Sequence, residues 1–266
     1  MSTSGNSPEE FHAFLCEITR QAGELQLSRY EHPGEVREKA PKDPVTEVDL
    51  LCEELLVSRI RERYPEDSIL SEERGGEISR SGRTWILDPL DGTANYSRAN
   101  PLFCCCVSVA ENGAVTHTAV AVPRLGDLYH AILGGGAFRD SKGESAPLSV
   151  GGSDALDYAF IGADLSFPVK PGPYESGLRK IFDACWQLRA IGSAGIRGAW
   201  VAAGHLDASI GTRNTAWDYA PTALLVSEAG GKSTDLSGEP WTFESEGLIA
   251  ANAGLHPELI KVLNET

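Results

Sequence analysis

The sequence has no run of about 20 apolar residues, the length that a helix needs to cross a bilayer. Residues 1–10 are polar and acidic, with neither the basic nor the apolar segment of a signal peptide. These absences predict a cytoplasmic protein with no membrane partner.

Basic residues are scarce. Lysine and arginine total 23 against 38 aspartates and glutamates, so the formal net charge is −15. This charge argues against nucleic acid as a partner, because the phosphate backbone would be repelled. The same field would repel a phosphate substrate, so a phosphate site in this chain would need cations bound among its acids. For most of the acids, solubility is explanation enough.

Motifs built on cysteine or on a phosphate-binding glycine loop are also absent. The six cysteines include no Cys-x-x-Cys pair, so neither a zinc site nor a redox motif is indicated. Cys104, Cys105 and Cys106 alternate along a predicted strand and cannot all face one metal. Free, mostly buried thiols in a reducing compartment are therefore expected. Gly134–Gly136 is followed by no Gly-Lys-Ser/Thr and is interpreted as a loop between strands.

The remaining composition is that of an ordinary globular protein. The chain has 266 residues, of which 41% are hydrophobic and 23% charged, and it shows no internal repeat. That length is enough for one large domain or two tightly fused halves.

The most informative stretch is Trp85–Asn95, in which an apolar strand runs into two closely spaced acids. Burying Asp88 and Asp91 together would be costly without a counter-charge. Pro89 has no amide hydrogen, so the strand ladder should stop there. Gly92 allows a sharp bend, and a helix could begin just after it with its free amides facing outward.

Acids bind hard cations such as Mg²⁺, and amides at a helix start bind phosphate, so this turn predicts a metal-assisted phosphate site. The alternative is an ordinary surface turn, since Asp, Pro and Gly are common turn residues.

Helices are predicted on both sides of this turn. Ser7 begins the first with a capping box, and Thr46 caps the second, with Asp49 three residues on and Pro65 after its end. Glu31–Pro44 between them is interpreted as a charged loop. Further on, Ser193 is predicted to cap a helix of small residues.

The C-terminal half is predicted to contain a helix that begins near Trp217 and stops at Gly230. Asp218 lies in the first turn of this helix, and the simplest interpretation is that it caps the helix or interacts with the helix dipole. Strands are predicted at 103–109, 115–122, 128–132, 158–162 and 206–210, with another one or two and a terminal helix after Lys232.

Five motifs in this order resemble those of the inositol monophosphatase-like family of metal-dependent sugar phosphatases. They are Asp43–Asp49, Ser71–Glu73, Trp85–Asn95, Gly192–Ala194 and Trp217–Gly231. The resemblance implies an α+β fold, a layered α/β/α/β/α sandwich, in a homodimer that hydrolyses phosphate monoesters with two or three Mg²⁺ ions and is inhibited by Li⁺. Residues 1–147 would form a half with most metal ligands, and residues 148–266 a half with Asp218.

The resemblance also implies roles for individual residues. Glu72, Asp88 and the Leu90 carbonyl would hold one ion, and Asp88, Asp91 and Asp218 a second. The predicted catalytic residues are Thr93, Asp49 and Glu72, with Thr93 hydrogen-bonded toward Asp49 so that together they orient the attacking water. The predicted substrate contacts are Asp91, Gly92, Thr93, Gly192, Ser193, Ala194 and Arg213.

The substrate is left open by one departure from the family pattern. Many members that cleave inositol or histidinol phosphates carry a Glu seven residues before the Asp of the Trp-Asp motif, and here that position is Gly211. Arg213 nearby could meet a second anionic group or merely pair with a surface acid.

The alternatives are a fructose-1,6-bisphosphatase, a histidinol-phosphatase or a 3′-phosphonucleotidase on the same scaffold. A non-catalytic sugar-phosphate-binding regulatory protein and a calcium-stabilised structural domain are the non-enzyme alternatives.

Overall fold

A computed structural model describes residues 7–41, 43–164, 174–212 and 215–265. The predicted contact Arg213 lies outside the described residues. Within those ranges the helices are α1 (Pro8–Ser28), α2 (Glu47–Arg63), α3 (Thr93–Tyr96), α4 (Glu175–Ala184), α5 (Ala194–Ala202), α6 (Ala216–Glu228) and α7 (His256–Asn264).

The strands form a hairpin and two sheets. They are β1 (Val36–Ala40), β2 (Asp43–Thr46), β3 (Ser68–Ser71), β4 (Arg83–Asp91), β5 (Cys104–Glu111), β6 (Ala114–Val122), β7 (Asp127–Ile132), β8 (Gly136–Ser141), β9 (Glu144–Pro147), β10 (Phe160–Ala163), β11 (Gln187–Arg189), β12 (Ala208–Gly211), β13 (Lys232–Thr234) and β14 (Leu248–Ala251).

The first sheet has seven strands in the order β3-β4-β5-β6-β7-β8-β9, antiparallel except for the β3–β4 pair. Helices α1 and α2 cover one face of it, through a core that includes Leu15, Leu56 and Trp85. Both helices begin with the predicted capping boxes, Ser7 with Glu10 and Thr46 with Asp49, which satisfy amides that helix starts leave free.

Helices α5 and α6 lie between the two sheets. Their apolar residues, Ile196 and Leu225 among them, share a core with β5, β6 and β14. The second sheet has the order β11-β10-β12-β14-β13, and α4 and α7 pack on its outer side. The result is the predicted α/β/α/β/α sandwich, and this prediction is confirmed.

Cysteines 104–106 alternate across β5 as predicted. Cys105 packs into the core beside α1 and α2, while Cys104 and Cys106 face the core beside α5 and α6. All six cysteines are free.

The predicted end of the ladder at Pro89 is wrong in detail. In β4, Asp88 pairs with Cys106 and Asp91 pairs with Cys104, so the pairing resumes after a bulge at Pro89 and Leu90. A bulge is where a sheet tolerates a proline, because its missing N–H would break a regular ladder. Asp88 and Asp91 therefore lie on either side of the bulge, at the end of β4.

Three segments differ from the sequence predictions. The expected loop Glu31–Pro44 contains the β1–β2 hairpin, and β8, β9 and β11 were not predicted as strands. β1 and β9 are exposed along their lengths, so neither carries the alternation of apolar and polar residues that predicts a strand. The division of the chain near Leu148 stays a prediction. None of the described helices has the length and apolar character that crossing a membrane requires.

Candidate active site

The turn after β4 depends on a glycine and an asparagine. Gly92 has φ 89° and opens α3, and a Cβ there would lie 2.9 Å from the Leu102 carbonyl oxygen, so only glycine fits. The Asn95 amide nitrogen donates to the carbonyl oxygens of Leu102 (2.7 Å) and Ile191 (2.8 Å). Asn95 therefore ties the turn to the segment that precedes α5.

Three acids from two elements meet beside this turn. Asp88, Asp91 and Asp218 each offer one carboxylate oxygen, and these oxygens all lie within 4.8 Å of one another. Asp88 is 1% exposed and Asp91 8% exposed. Asp218 is partly buried in the first turn of α6, where the Thr215 hydroxyl donates to it.

Crowding raises the pKa values of two of these acids. The pKa of Asp88 is raised well above its usual value, first by burial and then by the charges of Glu72, Asp91 and Asp218. The pKa of Asp218 is raised to about 7, again first by burial and then by Asp91. Carboxyl groups packed this way need positive charge if they are to be ionised at neutral pH.

Glu72 approaches the cluster from β3. Its backbone N–H donates to the Leu87 carbonyl oxygen (3.1 Å), which fixes it beside β4. Glu72 is the largest charged influence on the Asp88 pKa, although its oxygens are not among the three that lie within 4.8 Å. Lys39 on β1 donates to Glu72 (2.8 Å) and to Glu73 (2.7 Å).

This ion pair changes the ionisation of its members. Partial burial lowers the pKa of Lys39, but the hydrogen bonds to the two glutamates outweigh it and raise that pKa overall. Burial raises the pKa of Glu73 to about 7, against the opposing charge of Lys39. The ammonium group of Lys39 thus offsets part of the negative charge of the acid cluster.

The donor set fits divalent cations of the hard class. The carboxylates of the three aspartates and the Leu90 carbonyl are oxygen ligands of the kind that Mg²⁺ prefers. A separate group, which shares only Asp91 with the three aspartates, contains the sulfurs of Cys104 and Cys106. The raised pKa values of Asp88 and Asp218 show that the protein pays electrostatically for this arrangement, and bound cations would relieve that cost.

Asp91 is held by the start of α5. Its Oδ2 accepts hydrogen bonds from the Ser193 hydroxyl (2.5 Å) and the Gly195 amide (2.7 Å), and its Oδ1 accepts one from the Ala194 amide (3.1 Å). Ser193 is 1% exposed and also accepts from the Ile196 amide as N-cap. The predicted substrate residues Ser193 and Ala194 therefore surround Asp91, and their direct contact with substrate stays a prediction.

Asp49 and Thr93 are joined as predicted. The Thr93 hydroxyl lies 2.8 Å from Asp49 Oδ1 and 2.9 Å from the Leu90 carbonyl oxygen, and its one proton serves one of the two at a time. Thr46 donates through both its amide and its hydroxyl to Asp49 Oδ2. Burial raises the pKa of Asp49, while these hydrogen bonds oppose the shift.

The space beside Gly211, the position at which the sequence departs from the expected glutamate, is filled by a side chain of α6. A Cβ on Gly211 would lie 2.3 Å from the Tyr219 hydroxyl oxygen and 2.7 Å from ring carbons of Tyr219. Tyr219 is buried on α6. The tyrosine ring thus occupies the space that a side chain on residue 211 would enter.

The described residues among those predicted for the site gather around the β4 turn, with Gly192 beside Asn95. Sequence reasoning missed Lys39, the linking role of Asn95, and Cys104, whose Sγ lies 3.2 Å from Asp91 Oδ2. Asn95 closes the motif that was recognised and so carried a signal. Lys39 stood in a segment interpreted as a loop and carried none.

The chain is similar to known proteins over nearly its whole length. The curated relatives include the fructose-1,6-bisphosphatase/inositol-1-monophosphatase of Thermotoga maritima, which is 33% identical over 253 residues that cover 95% of each chain. They also include Nus factor SuhB of Escherichia coli (strain K12), which is 32% identical and covers 92% of this chain and 90% of its own.

Among solved structures, extragenic suppressor protein suhB from Bartonella henselae matches with a TM-score of 0.88 at 26% identity, over 95% of this chain and 98% of that one. The model of the inositol monophosphatase family matches residues 7–266. Because that match runs over nearly the whole length and the relatives align end to end, the chain belongs to the inositol monophosphatase family.

Proposed function

We propose that this protein is a Mg²⁺-dependent phosphate monoester hydrolase that acts on a small phosphorylated polyol or sugar. The family and its named relatives support phosphatase activity. The observation that carries the proposal is the convergence of Asp88, Asp91 and Asp218, with Glu72 close by, beside the turn at Gly92.

Glu72, Asp88, Asp91, Asp218 and the Leu90 carbonyl would hold the ions. When bound, divalent cations supply charge neutralisation for the phosphate and lower the pKa of a ligated water. Ser193 and the amides that open α5 keep Asp91 in a fixed position, so Ser193 acts as a positioning residue.

The Asp49–Thr93 pair is suited to placing water. The Thr93 hydroxyl donates toward Asp49 or Leu90, which leaves its oxygen free to accept a hydrogen bond from a water molecule. Asp49, with its raised pKa, can take up a proton that passes through that hydroxyl. The amides of Gly92 and Thr93 would contact the phosphate, as the resemblance implies.

Gly211 bears on the choice of substrate. With Gly211 in place of a glutamate and Tyr219 filling the space, residue 211 itself supplies no carboxylate to accept hydrogen bonds from inositol hydroxyls. Because the Thermotoga relative is named for both fructose 1,6-bisphosphate and inositol 1-phosphate, both belong at the head of the substrate panel.

The experiment is a phosphate-release assay on the purified full-length chain. The panel comprises inositol 1-phosphate, fructose 1,6-bisphosphate, histidinol phosphate and a 3′-phosphonucleotide, each with Mg²⁺, with chelator, and with Mg²⁺ plus Li⁺. We expect release on at least one substrate that requires Mg²⁺ and falls with Li⁺. Release on none of them, or release that chelation leaves unchanged, would contradict the proposal.

The Asp88→Asn variant tests the site itself. It removes the acid that lies between the two predicted ion positions, so we expect turnover to fall by a factor of about 10³ or more, as when a group central to charge stabilisation is lost. The fold should persist, because the change removes a buried charge whose pKa is already raised. Circular dichroism checks the fold, and activity near that of the unchanged protein would refute the assigned role.

A second candidate function is regulatory. It is favoured by the relatives named Nus factor SuhB, which match over most of the chain. A regulatory role without catalysis predicts that Asp88→Asn leaves the cellular function intact, whereas the hydrolase proposal predicts its loss. Homodimer formation is a further proposal from the resemblance, and size-exclusion chromatography with light scattering tests it. A cytoplasmic location is also proposed, as the sequence composition predicts.

A further inference from the structure

A cluster of histidines and a cysteine lies where α1 crosses the first sheet, apart from the acid site. His12 and Cys16 are four residues apart on α1 and therefore share one face of that helix. His130 faces them from β7. His12 Nε2 lies 2.9 Å from His130 Nδ1 and 3.5 Å from Cys16 Sγ.

We propose that His12, Cys16 and His130 form a binding site for one transition-metal ion of the zinc class, which joins α1 to β7. The three potential ligand atoms lie within 4.8 Å of one another, so one ion could reach all of them after small side-chain shifts. Two imidazole nitrogens and one cysteine sulfur are the donors that Zn²⁺ selects, and three protein ligands leave a fourth position for water. Burial raises the pKa of the Cys16 thiol to about 12, so the thiol would release its proton to solvent when the ion binds.

An outer partner is already in place for one ligand. His130 offers Nδ1 to the cluster, while its Nε2 lies 3.3 Å from Asp140 Oδ1. A metal-binding histidine commonly donates its second N–H to a carboxylate, which fixes the ring and strengthens the ligand. Asp140 is in turn paired with Arg20 on α1.

The simpler interpretation is a hydrogen-bonded histidine of the core. The His12 side chain is 8% exposed, its Nε2 faces His130 and Cys16, and its Nδ1 has no hydrogen-bond partner among the described residues. A metal ion at Nε2 would leave that Nδ1 unpaired as well, so the convergence of the three ligand atoms, and not the unpaired nitrogen, carries the proposal. Burial lowers the pKa of His12 to about 4, so the ring is neutral at pH 7, the form that binds metals.

The cluster is buried on the helix side and opens toward solvent on the other. Cys16 is 6% exposed, whereas His130 and Asp140 are only partly covered. Asp140 and Arg20 line a cleft of about 530 Å³ between α1 and the turns of the first sheet. The cleft therefore borders Asp140, the outer partner of His130.

The test uses Co²⁺ as the probe, because thiolate ligation to Co²⁺ gives a charge-transfer absorption in the near ultraviolet that oxygen ligands do not give. The full-length protein is titrated in excess Mg²⁺, which occupies the acid site. We expect one Co²⁺ per chain with this absorption, and its displacement by Zn²⁺. Absence of the absorption would overturn the proposal.

Variants locate the signal. Cys16→Ser should abolish the absorption, and the matched control Cys185→Ser, which changes a free cysteine elsewhere, should keep it. Cys104 and Cys106 also lie within 4.8 Å of an Asp91 oxygen, so absorption that is lost in Cys104→Ser or Cys106→Ser but kept in Cys16→Ser would overturn the assignment. If Cys16→Ser fails to fold, His130→Gln provides the same loss from a partly exposed position.

Asp140→Asn tests the outer partner. It leaves all three ligands in place and should weaken Co²⁺ binding by about 10- to 100-fold. Unchanged affinity would overturn this part of the proposal. In the unchanged protein, Zn²⁺ should also raise the thermal midpoint, and the increment should vanish in Cys16→Ser, which separates a site in the folded protein from adventitious binding.

Discussion

Gly211 departs from the expected glutamate, and the space beside it is occupied by Tyr219. The backbone of β12 passes so close to the Tyr219 ring that a single added carbon would overlap the tyrosine hydroxyl. A side chain introduced at residue 211 would therefore have to displace the Tyr219 ring.

We predict that Gly211→Ala destabilises the protein by about 1–3 kcal/mol, the usual cost of overpacking a filled interior. Gly152→Ala is the matched control, because a Cβ there meets nothing within 4 Å and the residue is exposed. It should change stability by less than about 1 kcal/mol. Urea denaturation measures both variants, and equal effects would contradict the close packing at Gly211.

The roles predicted for the four acids and the Asp49–Thr93 pair came from the resemblance of five motifs to those of a known family. Local pattern alone favoured a capping or dipole role for Asp218. Sequence reasoning did not reach Lys39, because its importance depends on a contact with Glu72, 33 residues away. Nor did it find the neighbourhood of Cys16 and His130, which lie on separate elements. Contacts between segments that are far apart in the sequence leave no local pattern and are seen only in the folded structure.

At the scale of elements, the β1–β2 hairpin is the least expected part of the structure. Val36–Ala40 is exposed throughout, so no buried stripe predicts it as a strand. The helices were predicted well because their caps and apolar faces are local, as with Thr46 and Asp49. The hairpin is recognised only from the pairing of β1 with β2 in the structure. It brings Lys39 into contact with Glu72 beside the acid site.

We predict that Lys39→Met lowers the Mg²⁺ concentration that gives half-maximal activity. Lys39 donates to Glu72 and thereby competes with a cation for that carboxylate. A partly exposed ion pair is worth up to about 1 kcal/mol, which corresponds to a shift of about fivefold. Mg²⁺ titrations of phosphate release give the value.

Lys142→Met is the matched control for this change, since Lys142 lies exposed in the β8–β9 turn. It should leave the Mg²⁺ requirement unaltered. A Lys39 variant that needs more Mg²⁺ than the unchanged protein would show that the lysine assists the cation instead of competing with it.

At the scale of the whole molecule, the two sheets and their helices meet at the acid site. Asp88 and Asp91 come from the first sheet, Asp218 from α6, and α5 supplies the hydrogen bonds to Asp91. The stability of the fold is therefore linked to the charge of this cluster. In a chain of net charge −15, the side chains that offset this cluster include Lys39, which pairs with Glu72, and the buried Arg197, whose charge opposes the raised pKa of Asp218.

We predict that the metal-free protein becomes less stable as the pH rises, relative to the Mg²⁺ form. The pKa of Asp218 is raised from 3.8 to about 7, and that of Asp88 is also raised. A carboxyl group with a raised pKa in the folded state contributes stability that is complete below its unfolded pKa and is lost as the pH rises through the folded one. For Asp218 that loss falls between about pH 4 and pH 7.

Mg²⁺ should reverse this trend, because cations bind the ionised acids and must displace protons at lower pH. We therefore expect the thermal midpoint with chelator to fall between about pH 5 and pH 8, and the increment given by Mg²⁺ to be larger at the higher pH. Asp218→Asn removes one titrating acid and should reduce both the fall and the increment. An increment of equal size at both pH values would show that the acids of this cluster are not what Mg²⁺ binds.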